Sequence, residues 1–172
     1  ELLMENAATT IANFIRKKFK KGVRVLGICG SGNNGADVLC ALRMLEGEFE
    51  CEFILASQNL KPLAIKQLER AKSAGMRESE DVENGLNSAK CVIDGLFGSG
   101  LNRNLDENHI ELISKINKSS AYTIACDMPS GLSSDGKMLG ACVKADITIT
   151  MGARKLGLYS DAAKDFVGKI KV

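Results

Sequence analysis

Asn33, Asn34 and Asp37 stand among three glycines in the run Gly30-Ser31-Gly32-Asn33-Asn34-Gly35-Ala36-Asp37. Gly30, Gly32 and Gly35 fit a G-x-G-x-x-G loop between the apolar run Val23–Cys29 and a helical pattern. Such glycines let the backbone bend tightly and approach a pyrophosphate, whose charge a helix N-terminus favours. One amide or acid is expected to cap the helix. Two amides and an acid exceed what one cap needs, and an amide oxygen is also a ligand for a hard cation. A second group begins at Asp94 and runs through Gly95-Leu96-Phe97-Gly98-Ser99-Gly100-Leu101-Asn102-Arg103. Successive N–H groups at Gly98–Gly100 can form an anion nest, with Arg103 as the charge. For Asp94 the sequence leaves two roles open, capping the turn or contacting a cation or substrate. A third group is Asp127-Met128-Pro129-Ser130-Gly131, where proline and glycine fix a tight turn. An acid held there can serve as general acid or base, and Lys155 is placed to reach the same rim. His109, the only histidine, reads as a surface or capping residue at a helix start.

The elements that must position these groups follow from periodicity and punctuation. Helices are expected at Leu2–Lys18, Ala36–Leu45, Pro62–Ala74, Val82–Ala89 and Glu107–Asn117, and strands at Val23–Cys29, Glu50–Ala56, Cys91–Asp94, Tyr122–Cys126 and Asp146–Met151. Val167–Val172 reads as a strand cut short. This alternation predicts an α/β fold with a mostly parallel sheet covered by helices on both faces. In such a sheet ligands bind outside the carboxyl ends of the strands. The three polar groups all fall at such ends and converge on one rim.

Composition limits the function classes. The chain has 172 residues, 45% apolar and 26% charged, as expected of one globular domain. A net charge of +2 without a basic block gives no reason to expect nucleic acid. No apolar run approaches the about 20 residues of a membrane span. The six cysteines form no C-x-x-C pair and read as reduced core thiols of a cytoplasmic protein. A dehydrogenase usually carries an acid at the end of its second strand for the ribose hydroxyls. Here that segment is Leu55-Ala56-Ser57-Gln58, which argues against a hydride-transferring NAD enzyme.

Taken together, Leu3-Met4-Glu5-Asn6-Ala7, Gly30–Asp37, Asp94–Arg103, Asp127–Gly131, Val143-Lys144-Ala145-Asp146 and Lys155-Leu156-Gly157-Leu158 resemble the YjeF N-terminal family, the NAD(P)H-hydrate epimerases. The blocks come in the family's order and cover nearly the whole chain. The resemblance implies a three-layer αβα Rossmann-like fold and one such domain over 1–172, truncated at both ends. It implies an enzyme that interconverts the R and S forms of hydrated NADH and NADPH. A downstream ADP- or ATP-dependent dehydratase, as a domain or a separate protein, is the implied partner, and a homo-oligomer is left open. A potassium ion is the implied cofactor, with ligands falling on Asn34, Asp94 and Ser130. Substrate contacts fall on Asn33, Asn34, Gly35, Ala36 and Asp37, on Gly98, Ser99, Gly100, Leu101, Asn102, Arg103 and Asn104, and on Asp127. The implied acid/base is Asp127, assisted by Lys155. A non-enzymatic scaffold module of the same fold is the competing expectation. Two positions depart from the family pattern, Ala36 and Val38, where glycine is common. The methyl of Ala36 either crowds a phosphate or improves the helix start.

Overall fold

The computed structural model describes residues 1–172. Helices and strands alternate as α1 (Leu2–Lys18), β1 (Arg24–Cys29), α2 (Asn33–Leu45), β2 (Glu50–Leu55), α3 (Pro62–Ser73), β3 (Arg77–Glu78), α4 (Val82–Ser88), β4 (Cys91–Gly95), α5 (Glu107–Lys118), β5 (Tyr122–Cys126), β6 (Ile147–Ile149) and β7 (Lys169–Lys171). Short 3₁₀ turns follow β6 at Leu156–Tyr159 and Asp161–Ala163. The strands form one parallel sheet in the order β3-β2-β1-β4-β5-β6-β7. The order reverses between β1 and β4, which stay paired to their carboxyl ends at Cys29 and Gly95, and the segments that follow them frame a crevice there.

Alternation along the strands builds three layers. Val25, Cys29, Phe53, Ile93 and Ile124 face α1, α2 and α3, in a core with Ile11, Ile15, Leu39 and Leu42. Leu26, Ile28, Ile54 and Val92 face the opposite side, under α4 and α5 with Leu86, Ile113 and Ile116. A period-2 strand buried on both faces must be apolar throughout, which is why β1, β4 and β5 read as continuous apolar runs. Gly27 serves a close approach: a β-carbon there would come within 2.7 Å of Val38 and Leu42 on α2. The six cysteines are buried and unpaired, as the sequence predicts.

Two differences from expectation have simple causes. Helix α2 begins at Asn33, three residues before the first position expected from periodicity, because its first turn is polar and carries no apolar stripe. The strand expected over Asp146–Met151 pairs only at Ile147–Ile149. Asp146 instead turns its carboxylate to the Thr123 N–H at 2.7 Å, and Met151 turns toward the site.

Candidate functional site

The glycine corner divides into two kinds of glycine. A β-carbon on Gly30 would lie 1.9 Å from the Leu96 carbonyl oxygen, and one on Gly35 would lie 2.0 Å from that of Gly30. These two glycines let the β1–α2 corner pack backbone on backbone against the β4 loop. Gly32 has open space around it and is the N-cap of α2. No side chain caps this helix, so the capping role expected of Asn33, Asn34 or Asp37 is not taken up. Ala36 is fully buried in the core, so its methyl points away from the crevice.

Below that corner, oxygen atoms from three strand ends meet. Asp94, fully buried on β4, accepts hydrogen bonds from the Ser130 hydroxyl at 2.6 Å and the Ser130 N–H at 2.8 Å, and from the Leu96 N–H at 3.2 Å. The Ser130 oxygen in turn accepts from the Phe97 N–H at 2.9 Å. The Asn34 amide donates to the Phe97 carbonyl at 3.0 Å, which leaves its own oxygen without a protein donor. The donor set is therefore carboxylate, hydroxyl, amide and peptide oxygens, with no thiol or imidazole. That chemistry suits a hard cation of low charge. Burial pushes the Asp94 carboxyl up to about 6, against the pull of its bonds from Ser130 and Leu96; a nearby cation would relieve that cost.

Asp127 leaves β5 with φ at 67°, the one non-glycine residue of the chain in the left-handed region. Such a conformation costs of order 1–3 kcal/mol and persists where the surroundings over-determine it. Here they do. One carboxylate oxygen accepts the Lys155 ammonium and the Met151 N–H at 3.2 Å, and the other accepts the Ser99 N–H at 3.0 Å. Lys155 also donates to the Thr150 hydroxyl at 3.0 Å and the Met151 carbonyl at 2.6 Å. Burial pushes the Asp127 carboxyl up, but the Lys155 ammonium and the Ser99 and Met151 N–H groups outweigh it, and the net shift is downward. Asp127 is thus an ionised carboxylate, nine-tenths buried. Asp37 moves the other way: burial first, and the Asp127 charge second, raise it to about 7. Two carboxyl groups in one site are driven apart in acidity, one ionised and one holding a proton near neutrality.

A cavity of about 670 Å³ opens over these groups. Of the residues expected from the sequence it is lined by Asn33, Asn34, Asp37, Gly98, Ser99, Gly100, Leu101, Asn102, Arg103, Asp127 and Lys155. Asp94 and Ser130 lie beneath its floor and are fully buried. Gly35, Ala36 and Asn104 do not line it: the first two pack into the corner and the core, and Asn104 turns out to solvent. Ser31, Lys61, Phe97 and Met151 line it and are not singled out by residue type. Lys61 has a signal in hindsight, a cation directly before the proline that opens α3. His109 lies off the cavity, its ring 4.9 Å from Phe97 and its N–H on the Asp106 carboxylate that caps α5.

Comparisons with known proteins agree with one another. A family model described as YjeF-related protein N-terminus matches residues 1–157. A protein of Helicobacter pylori named bifunctional NAD(P)H-hydrate repair enzyme Nnr is 37% identical over the whole of this chain, which spans 37% of that protein. A protein of Limosilactobacillus reuteri named NAD(P)H-hydrate epimerase is 33% identical over 99% of this chain and 82% of its own. A crystal structure of a yeast protein superposes with a TM-score of 0.82 at 19% identity, over 92% of this chain and 73% of that one, and shows the same fold. The chain spans little more than a third of the bifunctional relatives it matches.

Proposed function

Because this chain belongs to the YjeF-related protein N-terminus family, we propose that it is an NAD(P)H-hydrate epimerase, interconverting the R and S forms of hydrated NADH and NADPH. The observation that carries this reading is Asp127: an ionised, buried carboxylate in a strained conformation, gripped by Lys155 and facing the cavity across from Asp37.

The hydrated carbon bears a hydroxyl and the ring nitrogen, so it is a hemiaminal. Its configuration inverts by loss and re-addition of water or by ring opening and closure, and each route moves a proton on or off the hydroxyl. In ring opening Asp127, ionised and with its second oxygen held by one N–H alone, takes the hydroxyl proton and returns it to the ring nitrogen as the C–N bond breaks, and closure reverses the transfer. Lys155 keeps the carboxylate aimed and stabilises its charge. In water loss Asp37, which holds a proton near neutrality, gives it to the departing hydroxyl as the C–O bond breaks, Asp127 takes a proton from the water that re-adds, and exchange with solvent resets the pair. The uncapped first turn of α2 at Gly32 and Asn33, with the loop Gly98–Arg103, provides N–H groups and charge for the phosphates.

Asn34, Asp94 and Ser130 hold a potassium ion in this reading; their all-oxygen donor set and the free Asn34 oxygen support it. When bound, the ion supplies positive charge that offsets the buried carboxylate and ties the ends of β1, β4 and β5 together. The intact acid, amide and lysine set favours an enzyme over a scaffold module. The test is the rate of R/S equilibration of hydrated NADPH, resolved by chromatography, for the protein and for Asp127→Asn. The expected result is acceleration by the former and a drop of about 10²–10⁴ in the latter, the range of general acid–base catalysis. Equal rates would remove Asp127 from its role.

A further inference from the structure

The cavity wall carries one charge, Lys61, that the epimerisation chemistry does not use. Its acids, Asp37 and Asp127, lie at the sheet end. Lys155 is spent on Asp127. The remaining cations on its wall, Lys61 and Arg103, have no carboxylate within ion-pair distance. Arg103 belongs to the glycine-rich loop after β4, but Lys61 stands on the other side of the sheet reversal, at the β2–α3 corner. There its backbone is fixed twice. Pro62 restricts the preceding residue to extended backbone, and Lys61 has φ −72° and ψ 155°. Its N–H donates to the Ser31 carbonyl at 2.8 Å, tying the corner to the glycine loop.

This corner is where a dinucleotide fold meets the adenosine ribose, and an acid there reads the two ribose hydroxyls while a cation accommodates a 2′-phosphate. The end of β2 here, Leu55-Ala56-Ser57-Gln58, carries no acid, and the first charge after it is Lys61. A neutral strand end with an unpaired ammonium fits a phosphate and gives no bidentate acceptor for a diol. We propose that Lys61 receives the 2′-phosphate of hydrated NADPH and makes this chain selective for the NADP form of the damaged cofactor. The inference rests on the epimerase reading, with the nucleotide lying across the glycine loop and its altered ring at Asp127.

The test measures kcat/KM for hydrated NADPH and hydrated NADH with the protein, Lys61→Gln and Lys61→Arg. Calorimetry of adenosine 2′,5′-bisphosphate against ADP runs beside it. The unsubstituted protein should favour the NADPH hydrate. In Lys61→Gln the ratio of the two kcat/KM values should fall about tenfold, the equivalent of one charge-assisted contact, and Lys61→Arg should restore it. A ratio that does not change, or an equal loss on both substrates as for a pyrophosphate contact, overturns the assignment. If the unsubstituted protein equilibrates neither hydrate, the epimerase reading fails and the calorimetry decides this one. Tighter binding of the bisphosphate that is lost in Lys61→Gln supports it; equal or absent binding of the two nucleotides overturns it.

Discussion

At the scale of single residues, Asp127 and Asp37 are the informative pair. Asn tolerates the left-handed region better than most residues, so Asp127→Asn should keep the backbone while removing the charge. We predict that its melting temperature stays within a few degrees of the parent while epimerisation falls by the same about 10²–10⁴, read by calorimetry and the equilibration assay on one preparation. Burial raises the folded-state pKa of Asp37 to about 7 and that of Asp94 to about 6, from an ordinary 3.8. The folded protein therefore binds more protons than the unfolded chain between about pH 4 and 7, so stability falls as pH rises through that window. In potassium-free buffer the melting temperature should decline from about pH 5 to about pH 7.5, and Asp37→Asn should lessen the decline. A flat profile would show that neither acid is strained by burial. Strand-end placement brought Asp127 and Lys155 to one rim, and the family resemblance implied their partnership. Its positive φ was not, because the conformation is imposed by Ser99, Met151 and Lys155, residues distant in the chain.

At the scale of elements, the β1–α2 corner shows where residue type stops being informative. Gly30, Gly32 and Gly35 look alike as a phosphate motif, yet two of them are required by backbone packing, while the third has open space around it and lines the cavity. Gly30→Ala and Gly35→Ala should therefore cost several kcal/mol or prevent folding, because the obstacle is backbone within about 2 Å and not a movable side chain. Gly32→Ala has nothing in its way and should fold with near-parent stability; urea unfolding of the three variants checks this. Equal losses at all three would contradict the packing role. The long helices were legible to within a residue or two, since α1 and α3 carry clear apolar stripes. The start of α2 was hidden because its first turn is polar, and β3 because two exposed residues leave no pattern. Ala36 could be read either as crowding a ligand or as helix-favouring; its burial on the core face settles which way the methyl points.

At the scale of the molecule, the parallel sheet brings Asn34 to the wall of one cavity and Asp94 and Ser130 beneath it, although they share no local sequence. Sequence alternation predicts that convergence, but the shared Phe97 peptide that links Asn34 to Ser130 emerges only from the fold. A cation bound there acts on the whole molecule, since ligand binding to the folded state alone raises stability with concentration. The melting temperature should rise with potassium chloride beyond any rise in lithium chloride of equal ionic strength, and this increment should vanish in Asp94→Asn. No difference between the salts would remove potassium from the account. No helix is long and apolar enough to cross a membrane. Epimerase activity is measured most directly by starting from the pure S form of hydrated NADPH and following the R form by NMR as it appears. The purified chain should bring the two forms to equilibrium far faster than buffer does, at a rate proportional to protein concentration. A time course that overlays the buffer control, from protein that is folded by calorimetry, would contradict the epimerase reading.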